Sequence, residues 1–246
     1  MSMSKAKAEN RPLPKRFYSE ASAGPSGDGW AILLDGRPVK TPERHVLAAP
    51  CETLAVEMAA EWDAQAKHID PFTMPLTRLA HVAIDRMEAA RAAAAEEIVR
   101  FAGTDLLSHR SDDPELAARQ AAGWDPLLEW SAKALEAPLK SAATLLALEQ
   151  PEASLAALRA RAGALDNWRL TALTSAVPLL GSAVLGFALL EAEIDGEQAY
   201  MLSRLDEDYQ AERWGEDSEA AEAAANRKRD LLACERVFRL LDEADV

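Results

Sequence analysis

Between Leu170 and Leu190 the chain reads LTALTSAVPLLGSAVLGFALL, with no charged residue, although 28% of the chain is charged. A helix of that length is roughly 30 Å long, enough to cross a bilayer or a small domain. Pro178, Gly181 and Gly186 interrupt it, and Thr171, Thr174, Ser175 and Ser182 dilute it. Acidic residues follow at once in Glu191, Glu193 and Asp195, and no second stretch of this kind occurs. A helix apolar all round must be buried by other helices or by lipid. The interruptions favour other helices, so the stretch is expected to be the spine of a helical core rather than a membrane span. Pro178 lacks a backbone donor and predicts a kink or break.

The N-terminal part reads differently. Arg16–Ala23 suits a short strand, and Gly24–Gly29 a loop. Asp35-Gly36 lies between two extended runs, a strong hairpin signal, so Trp30–Leu34 is expected to pair with Arg37–Thr41. His45–Ala48 reads as one more strand. Such a sheet is too small to stand alone. From Pro50 onward the spacing is helical. Leu54, Met58 and Trp62 share one face of a first helix running to about Lys67. Leu76–Met87 is a second helix, with Leu76, Leu79, Val82 and Ala83 inward, and Ala89–Phe101 a third. Asp113-Pro114 opens another, because proline fits the first helical position. A break is expected at Trp124-Asp125-Pro126, with helix resuming over Leu127–Leu135. Glu152–Ala162 follows, Asp166 or Asn167 caps the spine, and two acidic helices near Gly196–Trp214 and Asp217–Leu241 finish the chain. The expected fold class is α+β. A disordered tail (1–15) precedes a small antiparallel β domain (16–50). A helical domain (51–246) then contains the apolar helix 168–190.

A formal charge of −14 argues against nucleic acid and anionic membranes. It favours solubility or a partner with a basic surface. Cys51 and Cys234 form no CxxC pair, and the N-terminus has no apolar signal region. Phosphate-binding glycine motifs and GxSxG are absent. Asp105 and His109 are four apart and define, with the acids from Asp206 to Glu212, the alternative of a metal- or carboxylate-dependent enzyme. Nothing assembles a nucleophile, base and orienting group, so no catalytic residue, metal or other cofactor and no small-molecule substrate is expected.

The most informative polar stretch is Leu202–Gly215, LSRLDEDYQAERWG. Projected as one helix, it places Ile194, Gln198, Met201, Leu202, Leu205 and Tyr209 inward. Ser203, Glu207, Gln210 and Trp214 fall on the opposite side, flanked by Asp206. That outer face combines acids with an aromatic anchor, a composition suited to a protein partner. The competing expectation is that the helix stops early and Trp214 turns back into the core.

Taken in order, RFY at Arg16–Tyr18, LDGRPVKTP at Leu34–Pro42 and AAEWDAQ at Ala59–Gln65 form a recognisable series with TMPLTRL at Thr73–Leu79. TDLLSHR at Thr104–Arg110, WDPLLEW at Trp124–Trp130 and LSRLDEDYQAERWG complete it. In order and spacing this series resembles the assembly chaperones for the alpha subunit of the F-type ATP synthase head. The resemblance implies a non-enzymatic, ATP-independent protein that binds the unassembled alpha subunit and prevents its aggregation. It places a functionally required acid at Asp206 or Glu207, and a required position at Trp62. The helical reading makes Trp62 a packing residue. The missing presequence and the alanine-rich, acidic composition suggest a bacterial member acting in the cytoplasm, with the mitochondrial matrix as the expectation for a eukaryotic one.

Overall fold

A computed structural model describes residues 12–143, 148–215 and 218–244 of the chain. The fold is α+β, a small antiparallel sheet laid on a helical body. Strands β1 (Ala21–Ser26) and β2 (Gly29–Leu34) pair from Ala21↔Leu34 to Ser26↔Gly29. The segment expected to be a loop is therefore mostly strand, and only Gly27 and Asp28 turn. On its other edge β2 holds both β3 (Arg37–Pro38) and β4 (Ala48–Ala49). The hairpin at Asp35-Gly36 forms as expected, with φ of 47° and 75°.

Ten α-helices follow among the described residues. Helix α1 (Glu52–Asp63) packs on β1 and β2 and links the sheet to the helical body. Its face of Leu54, Met58 and Trp62 is buried. Next come α2 (Pro75–Asp85) and α3 (Met87–Gly103), separated at Arg86. On α2, Leu76 and Ala83 are buried as expected, but Val82 is 40% exposed. Helix α4 (Pro114–Ala134) runs straight through Pro126. The expected break does not occur because the apolar stripe of Leu116, Trp124 and Leu127 is buried on both sides of the proline. The rest are α5 (Glu152–Ala164), α6 (Asn167–Leu180), α7 (Ala183–Leu190), α8 (Gly196–Ser203), α9 (Leu205–Trp214) and α10 (Ser218–Ala244).

The apolar spine is two helices. Asp166 caps α6 by accepting from the backbone N–H of Trp168 and Arg169. The break falls three residues after Pro178, at Gly181, whose φ of +66° is a left-handed conformation that costs glycine least. Pro178 forfeits its own bond to the preceding turn, and the burial of Leu173, Ala176, Val177 and Leu180 around it holds the helix together. Every residue of α7 is buried, and α6 lies against α2, α3, α7 and α10. Helices, not lipid, thus cover the charge-free stretch. Among the described residues no helix is long and apolar enough to cross a membrane.

The expected tail lies outside the described residues as far as residue 11. Beyond it, Pro14 accepts from Ile69 N and Lys15 bridges His68. A further latch joins sheet and helices at Asp85, the last residue of α2. Its carboxylate accepts from Thr41 Oγ1 (2.5 Å) and Glu43 N (3.1 Å) and meets His45 Nδ1 (2.9 Å). Burial pushes the Asp85 pKa up, but these bonds outweigh it and hold it below the ordinary carboxylate value. Asp85→Ala removes one partner from three bonds. It is expected to destabilise the protein by about 2 kcal/mol, read by urea denaturation; a midpoint equal to wild type would mean the latch is idle.

Candidate functional site

The acidic segment Gly196–Trp214, expected as one helix, breaks at Arg204. Neither glycine nor proline marks the break. Trp124 makes it, buried in α4, with its indole N–H donating to the carbonyl of Leu202 at 3.0 Å. In a continuous helix that carbonyl would accept from Asp206 N. Helix α9 instead starts afresh, with Asp208 N donating to Arg204 O. Gly123 allows the close approach this needs. A Cβ there would sit 2.9 Å from Leu202 Cδ2 and 3.2 Å from Leu205 Cδ1.

The break changes the phase of everything before it. Ser203 does not reach the outer face. It is 7% exposed, and its hydroxyl donates to Tyr200 O. Gln198, expected inward, is exposed and completes a capping box with Asp195. Met201, expected in the core, is 56% exposed. Within α9 the projection holds. Tyr209 is buried, Leu205 is half-buried, and Glu207, Gln210 and Trp214 stand together on the exposed side. Trp214 does not turn back into the core; it is 76% exposed at the last helical position, and Gly215 ends the helix with φ +90°.

The inner face of α9 is fastened to the start of α4 by a cluster centred on Asp113 and Tyr209. Asp113 caps α4 by accepting from Glu115 N and Leu116 N, and also accepts the Tyr209 hydroxyl at 3.0 Å. The N–H of Leu116 first, then the Tyr209 hydroxyl, lowers the Asp113 pKa. Burial first, then that same bond, raises the pKa of Tyr209. Arg213 and Arg119 lie over the Tyr209 ring at 4.3 and 5.1 Å. Arg213 pairs with Asp113 and Glu115, and Arg119 with Glu115 and Glu212. Asp206 is half-buried and accepts from Gln120 Nε2 at 2.7 Å. The Asp113-Pro114 helix start gave a sequence signal, but the contact itself did not, because Tyr209 and Asp113 are 96 residues apart in the chain.

The acids of α9 have a local reason to exist. Asp206, Glu207 and Asp208 fill its first turn, where negative charge offsets the helix dipole. Asp208 pairs with Arg204, and Glu207 reaches Arg227 at only 3.9 Å. Glu207 is thus the acid of this set with the loosest tie to the fold.

Among the described residues no hydrogen bond or ion pair joins Asp105 to His109. The Asp105 carboxylate is fully buried and accepts from Leu107 N, Ala183 N (2.8 Å) and Val184 N (3.2 Å), tying the first turn of α7 to the end of α3. Burial pushes its pKa up to about 6. The His109 backbone bridges Ala142 instead. Among the described residues no group of three or more His, Cys, Asp or Glu is placed to hold a metal ion. Of the acids in that alternative, Asp105 and Asp206 accept hydrogen bonds within the fold, and Asp208 and Glu212 form ion pairs.

The family described as ATP12 chaperone protein matches residues 15–132. The chain is 27% identical over 244 residues to the mitochondrial protein atp12 of Schizosaccharomyces pombe, covering 92% of this chain and 84% of that one. Atp12 from Paracoccus denitrificans is similar in structure, with a TM-score of 0.85 at 43% identity, covering 92% of this chain and 98% of that one. An aspartate-to-lysine mutant of that protein is equally similar. The Atu1473 protein from Agrobacterium tumefaciens gives a TM-score of 0.87 at 40% identity over 94% of this chain and 87% of its own.

Proposed function

We propose, from the premise that this chain belongs to the ATP12 chaperone family, that it is an assembly chaperone for the catalytic head of an F-type ATP synthase. It binds the unassembled alpha subunit and keeps it from aggregating, in the bacterial cytoplasm and without nucleotide or other cofactor. The observation that carries the reading is the stripe of Glu207, Gln210 and Trp214. It is a large aromatic and a weakly tied acid, held outward on a helix whose other face is locked to α4. An exposed tryptophan is costly to leave in water and is a frequent anchor of protein interfaces. A free alpha subunit exposes surfaces it will later bury, and such patches drive association. Trp214 covers apolar client surface while Glu207 and the adjacent Asp206 attract basic groups. The beta subunit, binding more tightly, displaces the chaperone by mass action.

Light scattering by free alpha subunit tests this. Glu207→Lys and Trp214→Ala are expected to melt within about 0.5 kcal/mol of wild type, as surface substitutions do, yet to lose protection of the client. Asp206→Lys is expected to lose protection too, with a small stability cost from its bond to Gln120. If Glu207→Lys and Trp214→Ala both protect as well as wild type, the face is only solvated surface.

A further inference from the structure

The sheet carries a second concave feature on an element separate from α9. A cup of about 660 Å³ opens between the N-terminal segment, the β2–β3 hairpin and the end of α1. Phe17, Tyr18 and Trp62 supply aromatic walls, and Leu34, Pro38 and Val39 complete an apolar floor. Phe17 is 75% exposed, although its ring meets Tyr18 edge-on at 5.4 Å. Folding therefore leaves an aromatic wall wet. Single exposed apolar residues are ordinary, but an exposed aromatic lining a concavity among other aromatics is how interface pockets are built.

The rim decides what fits. Arg37 and Lys40 both line the cup, and both are exposed. Among the described residues neither makes an ion pair, in a chain of net charge −14 whose other exposed arginines are mostly paired with carboxylates. The one acid of the lining, Asp35, is turned to the backbone N–H groups of Ser19 and Glu20, at 3.0 Å each. The unspent charge at this cup is positive. Arg37 and Lys40 are three positions apart on extended chain, about 10 Å at ~3.3 Å per residue. Cations so spaced suit an extended chain with separated carboxylates better than one small anion.

We infer that the cup of Phe17, Tyr18, Trp62, Arg37 and Lys40 docks an extended segment of a partner protein. The segment presents a large apolar side chain flanked by acidic residues. The apolar side chain fills the cup against Phe17 and Tyr18, and the carboxylates meet Arg37 and Lys40 on the rim. This surface has the opposite charge preference to the α9 face, so one partner gripped by both would be held at an acidic and at a basic segment.

The test uses the full chain and the peptide acetyl-Ser-Glu-Phe-Ser-Glu-Ser-amide, whose carboxylates are three positions apart like Arg37 and Lys40, followed by NMR of backbone amides and the Trp62 indole. Shifts are expected at Phe17, Tyr18, Val39 and Trp62. Phe17→Ala, and separately Arg37→Glu/Lys40→Glu, are expected to weaken binding at least tenfold without altering the rest of the spectrum, since all three residues are exposed. A peptide with alanine for phenylalanine should bind at least tenfold more weakly than the parent. One with lysine for both glutamates should bind Arg37→Glu/Lys40→Glu better than wild type. Glu207→Lys should bind the parent peptide as wild type does, which keeps this outcome separate from the α9 result. Shifts elsewhere, or equal binding by wild type and Arg37→Glu/Lys40→Glu, would overturn the inference.

Discussion

Trp62→Arg is expected to lower stability by about 4 kcal/mol or more, the range for losing a large core aromatic with a buried charge added. In a chain of this size that is a fall of about 10 °C in melting temperature. Trp62 is 9% exposed on the face of α1 that meets the sheet. Its ring lies 6.0 Å from that of Tyr18, whose hydroxyl donates to the Trp62 carbonyl at 2.5 Å. The Arg16 guanidinium already covers the Tyr18 ring at 4.6 Å, so arginine at position 62 adds a second cation beside the first. Trp62→Phe separates packing from polarity. Among the described residues the buried Trp62 indole N–H has no acceptor, so phenylalanine forfeits no hydrogen bond seen there and leaves only a partial cavity. Thermal melts should place Trp62→Phe much closer to wild type than Trp62→Arg. An unchanged midpoint for Trp62→Arg would show that α1 and the sheet do not depend on this contact.

The second large effect depends on pH and comes from Asp105. Its pKa is raised to about 6, chiefly by burial, against the ordinary 3.8. Below the ordinary value both folded and unfolded chains hold the proton. As pH rises, the unfolded chain ionises first, which favours unfolding until the folded carboxyl also ionises. Stability contributed by the protonated group is therefore present below about pH 4 and lost as pH rises through about 6, a total of about 3 kcal/mol. Asp105→Asn removes this slope. It also turns an amide donor toward backbone N–H groups of α7, so the variant is expected to be less stable throughout. Urea denaturation of both proteins across this range should show the gap between them narrowing with rising pH. Parallel curves would mean that Asp105 is ionised even at the lower end.

The fold was most legible where local chemistry and burial agree. Asp35-Gly36 takes positive φ because a tight hairpin needs it, and Asp113 and Asp166 cap helices because a carboxylate before a helix finds free N–H groups. The prolines misled. Pro126 and Pro178 sit inside helices, since burial on either side outweighs one lost bond. Pro25 lies in β1, where a loop was expected. At the candidate site the stripe Glu207, Gln210 and Trp214 was legible because it lies within one unbroken helix. Ser203 was misplaced because the break at Arg204 is set from outside, by Trp124 reaching across from α4, and a helical projection carries no information on distant hydrogen bonds.

The carboxylate of Asp113 does two jobs with one group, closing the first turn of α4 and receiving the hydroxyl of Tyr209. One side chain thus ties the opening turn of α4 to the middle of α9. Trp214 ends that same helix, so the direction in which it is presented depends on an anchor laid down far earlier in the chain.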